Sequence, residues 1–79
     1  MRVLEEINYP AFRVSILSWN NKYLIKAESG LLEQTFKVPE TEVSSIEEVK
    51  EILTPEWQQQ IDERFKEMGK QLQAMLNPY

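Results

Sequence analysis

A chain of 79 residues with 42% hydrophobic residues, 28% charged residues and a net charge of −4 has room for one domain around one small core. It contains neither cysteine nor histidine, which excludes disulfides, thiolate zinc sites, the thiolate nucleophile and the usual general base near neutral pH. The acidity is uneven: five basic residues against four acidic ones up to Pro39 give +1, whereas nine acidic against four basic ones from Glu40 onward give −5. Nonspecific nucleic-acid binding draws on Lys and Arg, so only the first half is suited to it.

The first segment, residues 2–7, alternates at Val3 and Ile7, with Glu5 interrupting the apolar side, and is expected to be a strand. Pro10 suits the connection that follows. Residues 12–19 and 22–28 flank Asn20-Asn21, a dipeptide that tolerates positive φ in a two-residue hairpin. That turn puts Trp19 opposite Lys22, Leu17 opposite Leu24, Ile16 opposite Ile25, Val14 opposite Ala27 and Arg13 opposite Glu28. Apolar meets apolar and plus meets minus, as cross-strand pairing favours. A second hairpin about Ser29-Gly30 leads into residues 31–38, with Ala27 opposite Leu32, Lys26 opposite Glu33, Tyr23 opposite Phe36 and a mismatched Lys22 opposite Lys37.

With period two, one face collects Phe12, Val14, Ile16, Tyr23, Ile25, Ala27, Leu32, Phe36 and Val38, the expected core side. The other carries Arg13, Ser15, Leu17, Trp19, Lys22, Leu24, Lys26, Glu28, Leu31, Glu33, Thr35 and Lys37. On it, Leu17, Trp19 and Leu24 form an apolar island with a charged rim, the composition of a contact surface.

After Pro39 the period becomes helical. Ser45 and Glu48 have capping-box spacing, predicting a short helix over 46–53 with Ile46, Val49, Ile52 and Leu53 on one side. Thr54-Pro55-Glu56 starts a second helix, 55–76, with Thr as N-cap and Pro in the first turn. Its stripe is Trp57, Ile61, Phe65, Met68, Leu72, Met75 and Leu76, and Asn77-Pro78 ends it. Such a helix spans ~33 Å against ~27 Å for an eight-residue strand, so Met75 and Leu76 are expected to overhang the sheet, where a second copy or another segment would cover them. Gly69 lies at the edge of the stripe. The expected whole is one domain, residues 1–79, of α+β class: an antiparallel three- to four-stranded β-meander, a short helix, and a long amphipathic C-terminal helix packed on one sheet face.

The residue inventory argues against an enzyme. Ser15, Ser18, Ser29, Ser44 and Ser45 read as strand, turn or cap residues with no G-x-S-x-G elbow. Glu47, Glu48 and Glu51 read as a solvated helix face. Glu40, Glu42 and Glu47 are the carboxylates that could gather a hard cation, without EF-hand spacing. No glycine-rich phosphate loop is possible with only Gly30 and Gly69. No catalytic residue, metal or cofactor is expected.

The order of an antiparallel meander followed by a C-terminal helix resembles in outline the small single-stranded nucleic-acid-binding domains of PUR and PC4 type. The resemblance is one of fold alone. It implies nucleic-acid binding on the outer sheet face by Trp19, Arg13, Lys22, Lys26 and Lys37, since bases stack on aromatics while cations follow the backbone. Glu28, Glu33 and the acidic second half weigh against it. The leading expectation is a non-enzymatic protein-interaction module, homodimeric or bound to another protein, with Leu17, Trp19, Leu24, Arg13, Lys22, Lys26, Met75 and Leu76 as its candidate contact surface. No basic and apolar leader opens the chain and no run approaches membrane-span length, so a cytoplasmic location without membrane attachment is expected.

Overall fold

The computed structural model describes residues 1–77. In chain order it contains β1 (Arg2–Asn8), β2 (Arg13–Trp19), β3 (Lys22–Ser29), β4 (Leu32–Pro39), a 3-10 turn (Glu40–Glu42), α1 (Ile46–Glu51) and α2 (Pro55–Leu76). The four strands form one antiparallel sheet in the order β1-β2-β3-β4, the α+β meander that the alternating pattern predicts. Pro78, expected to help end the last helix, lies outside the described residues.

Asn20 and Asn21 both have positive φ, 52° and 62°, the signature of a type I′ turn whose twist matches that of its strands. The β2–β3 register follows from it: Trp19 faces Lys22, Leu17 faces Leu24 and Arg13 faces Glu28.

The second hairpin departs from the expected register. Its turn is Gly30-Leu31 rather than Ser29-Gly30, so Ser29 pairs with Leu32, Ile25 with Phe36 and Leu24 with Lys37. Gly30 has φ +59° while Leu31 is not in the positive region, the type II′ pattern that calls for glycine at the first central position. A shift of two residues changes every partner and no face. The face assignment therefore holds, and the Lys22–Lys37 mismatch disappears because Lys22 now faces Pro39.

In β1 the irregularity at Glu5 has a structural cause. Val3 pairs with Leu17 and Glu5 with Ile16, leaving Leu4 as the extra residue of a β-bulge. One added residue reverses the alternation. Val3 thereby joins Leu17 on the outer face, while Glu5 turns to the helix side and meets Lys50 of α1 at 3.6 Å.

The core lies between one sheet face and the two helices. Phe12, just before β2, and Val14, Ile16, Ile25 and Ala27 from the sheet meet Val49, Leu53, Ile61 and Phe65 from the helical half. Phe12 is its aromatic centre, with ring centroids 5.2 Å from Tyr9, 5.8 Å from Phe65 and 6.4 Å from Trp57. Phe36, expected beneath the long helix, is instead at the rim: it is 37% exposed and meets Trp57 at 6.3 Å. The reason is that β4 is an edge strand, covered from one side only.

The helix starts are those that the sequence marks. Ser45 Oγ accepts from the Glu48 N–H, and Thr54 Oγ1 from the Trp57 N–H at 3.1 Å. The capping box is displaced, however: the Glu48 carboxylate reaches back to the backbone and hydroxyl of Ser44, not to Ser45. α1 also ends at Glu51, earlier than expected, because Leu53 donates to the Lys50 carbonyl at 3.1 Å and Thr54 to that of Ile52 at 2.8 Å, tightening the chain into α2.

α2 runs antiparallel to β4. Trp57 lies by Phe36, the Ile61 carbonyl accepts from Gln34 Nε2 at 3.0 Å, and Gly69 stands over Leu32, whose Cδ1 is 3.8 Å from where a Cβ would be. Leu32 begins β4, so the seven residues after Gly69 continue ~10 Å past the sheet. This overhang contributes to a molecule 49 Å long and 19 Å thick.

Candidate functional site

The helices cover one face of the sheet and leave the other to solvent, because every buried helical side chain among the described residues belongs to the core on the first face. On the open face, residues line up in rows across the strands. One row reads Val3, Leu17, Leu24, Lys37, and the next, beside the Asn20-Asn21 turn, holds Trp19 and Lys22.

The expected apolar island is reshaped by this geometry. Leu17 and Leu24 are each only 7% exposed, whereas Trp19 is 43% exposed. Both leucines sit on central strands, flanked in their row by Val3 and Lys37, and Trp19 lies diagonal to Leu24 at a spacing that aromatic side chains bridge. Neighbouring side chains on the open face therefore shield the leucines, while Trp19 and Val3, the latter 54% exposed, are the apolar groups of these rows that stand in solvent.

The charges around it fall into two sets. Lys26 stands between Glu28 at 3.9 Å and Glu33 at 3.8 Å, exposed pairs that contribute little stability but neutralise the lysine locally. Arg13, Lys22 and Lys37 form no ion pair among the described residues. Arg13 and Lys37 are exposed and Lys22 is half-buried.

At the far end of α2, Met75 and Leu76 are 69% and 66% exposed. The Gly30-Leu31 turn lies at the same end of the sheet, and Leu31 is 88% exposed there. Between α2 and β4 runs an open groove of about 580 Å³ lined by Gln34, Arg64, Glu67, Met68, Lys70 and Gln71. Apart from Met68 these residues are charged or amide-bearing, but the surface they turn to the groove is mostly apolar, the stems of the long side chains.

The face and helix-end residues named from the sequence thus gather in two places, with Arg13, Leu17, Trp19, Lys22, Leu24 and Lys26 on the open face and Met75 and Leu76 at the helix end. The sequence pattern alone did not single out the edge of β4. Among the described residues the strand order leaves that edge without a neighbour, and the alternation Glu33, Thr35, Lys37 along it was the available signal.

Among the described residues, Glu48 and Tyr9 depart from their ordinary titration values. The Glu48 carboxyl is held below its ordinary value by hydrogen bonds from the Ser44 hydroxyl and backbone N–H, and burial raises the Tyr9 phenol. Neither faces a cleft. Among the described residues no three Asp or Glu side chains come together as cation ligands, so Glu40, Glu42 and Glu47 are not gathered. No helix of the described residues is long and apolar enough to cross a membrane. Comparison with protein-family models, curated proteins and solved structures gives no match.

Proposed function

We propose that this chain is a small non-enzymatic protein-interaction module that acts as a homodimer. The observation that carries the reading is that α2 outruns the sheet it packs on. Met75 and Leu76 stand in solvent at the end where Leu31 does the same. Apolar side chains grouped at one end of a small domain are the composition of a contact surface. A core this size contributes little net stability on its own, and domains without disulfides or metals often gain the remainder by association. The absence of His and Cys supports the non-enzymatic part. Light scattering across a dilution series tests the reading: twice the chain mass of 9.4 kDa at high micromolar concentration supports it, and the single-chain mass throughout rejects it.

A second reading, single-stranded nucleic-acid binding on the open sheet face, is favoured by the half-exposed Trp19 directly opposite Lys22, with Lys37 and Arg13 free of ion pairs among the described residues. Binding of a labelled oligonucleotide that weakens steeply with salt, quenches Trp19 in a Trp57→Phe background and disappears in Trp19→Ala would support it. No binding in moderate salt is the result expected from the first reading.

A further inference from the structure

The two edges of the sheet are unequal. β1 is interrupted by the bulge at Leu4, a device that blunts an edge against pairing. β4 is regular over its length and, among the described residues, has β3 on one side only. The turn at Gly30-Leu31 makes Ser29 and Leu32 the closing pair, and Glu40 N–H donates to the Asn21 carbonyl at 3.2 Å. In an antiparallel ladder the bonded residues alternate, so Leu32, Gln34, Phe36 and Val38 direct their backbone groups to β3. Glu33, Thr35 and Lys37 direct theirs outward. Pro39, next in the outward series, has no N–H to offer and closes the edge.

We infer that this edge pairs with the β4 of a second copy of the chain, antiparallel about a two-fold axis through Thr35, to give one continuous eight-stranded sheet. The inference rests on the homodimer reading above and gives it a register. With Thr35 opposite the partner's Thr35, Glu33 falls opposite the partner's Lys37 and Lys37 opposite the partner's Glu33. All three outward residues of each copy then exchange backbone hydrogen bonds, and both charge pairs are attractive. On the core side the same register sets Leu32 against the partner's Val38 and Gln34 against the partner's Phe36, covering the ring that the monomer leaves at its rim.

Neighbouring registers lose these features. A slip of two residues one way leaves Lys37 opposite the partner's Leu31, in a turn. The other way sets Glu33 against the partner's Pro39, which cannot donate. Further slips bring Glu33 or Lys37 against its own copy.

The two-fold operation also accounts for the overhang. Because the strands run oppositely, the Leu32 end of one β4 lies beside the Pro39 end of the other. The last turns of α2, beyond Gly69, are then level with the partner's Pro39 and the 3-10 turn that follows it. Lys70 is brought toward the partner's Glu40 and Glu42.

The test uses charge exchange. Lys37→Glu alone sets Glu against Glu at both pairs, and Glu33→Lys alone sets Lys against Lys. Each is expected to raise the dissociation constant of its own homodimer on the order of tenfold. An equimolar mixture restores two attractive pairs and is expected to regain wild-type dimerisation, as a heterodimer, in sedimentation equilibrium. Thr35→Pro removes the central outward N–H at a position where an edge strand accepts proline, and is expected to be a folded monomer by circular dichroism and mass. If Thr35→Pro fails to fold, the charge pair decides. A wild type that dimerises while both single charge variants dimerise as tightly alone as mixed overturns the edge register and leaves the homodimer reading standing. A wild type that stays monomeric overturns both.

Discussion

Gln34 on the edge strand donates its side-chain amide to the backbone carbonyl of Ile61 at 3.0 Å, tying β4 to the second turn of α2. It is a partly buried contact between segments 27 residues apart, and it fixes the position of the long helix along the strand. Gln34→Met keeps the side-chain length without the donor. It is expected to lower stability by about 1 kcal/mol and to speed amide exchange in β4. An unchanged urea midpoint would mean that packing around Trp57 and Phe36 sets the helix position by itself.

Thr54 caps α2 at the junction of the two helices, and its Oγ1 accepts from the Trp57 N–H. Thr54→Ala is expected to destabilise by about 1 kcal/mol and Thr54→Ser by much less, since serine caps as well. Equal losses in a denaturant titration would trace the role of Thr54 to its methyl group.

The depressed Glu48 carboxyl gives α1 a pH dependence of known sign. Its folded value lies below the ordinary one because the Ser44 hydroxyl and N–H donate to the charged form. The stabilisation is therefore complete above the unfolded carboxylate value and is lost as pH falls through the folded value. Ser44→Ala is expected to move the Glu48 titration, followed by its side-chain carboxyl carbon resonance, back toward the ordinary value. A titration unmoved by Ser44→Ala would place the cause at the helix N-terminus instead.

Burial of Leu24 on an open face yields a prediction that the alternating pattern alone would not. A surface leucine would tolerate truncation, but Leu24→Ala here removes a side chain shielded by its row neighbours and is expected to cost about 2 kcal/mol. Trp19→Ala, on the exposed side of the same patch, is expected to cost less than about 1 kcal/mol. The reverse order in urea unfolding would mean that Trp19 holds the sheet together.

How far the fold could be read from the sequence follows from what each signal constrains. Asn20-Asn21 constrained one hairpin fully, because a one-residue error there would have set apolar side chains against charges. Ser29-Gly30-Leu31 did not: moving the turn by one residue leaves both faces intact, and cross-strand charge favoured the other register, with Lys26 opposite Glu33, where the structure sets Glu28 opposite Glu33 and Leu24 opposite Lys37. Glu5, an acid on an apolar side, was the trace of the bulge, but alternation has no means of adding a residue. That bulge brings Val3 beside Leu17, which is one reason the leucine is covered where the sequence suggested exposure. The overhang of α2 was legible as a difference of lengths. The open edge of β4 is not legible in the pattern, since strand order ranks edges only once β1 is placed.

Amide hydrogen exchange in β4 across a dilution series tests the central claim most directly. In the single chain, Gln34, Phe36 and Val38 donate to β3, while the Glu33, Thr35 and Lys37 amides face solvent. Self-association through this edge predicts that the alternation is present at low concentration and erased at high concentration, with Glu33, Thr35 and Lys37 becoming protected together. Fast exchange of those three amides at every concentration, in a sample whose mass is that of a dimer, would contradict it.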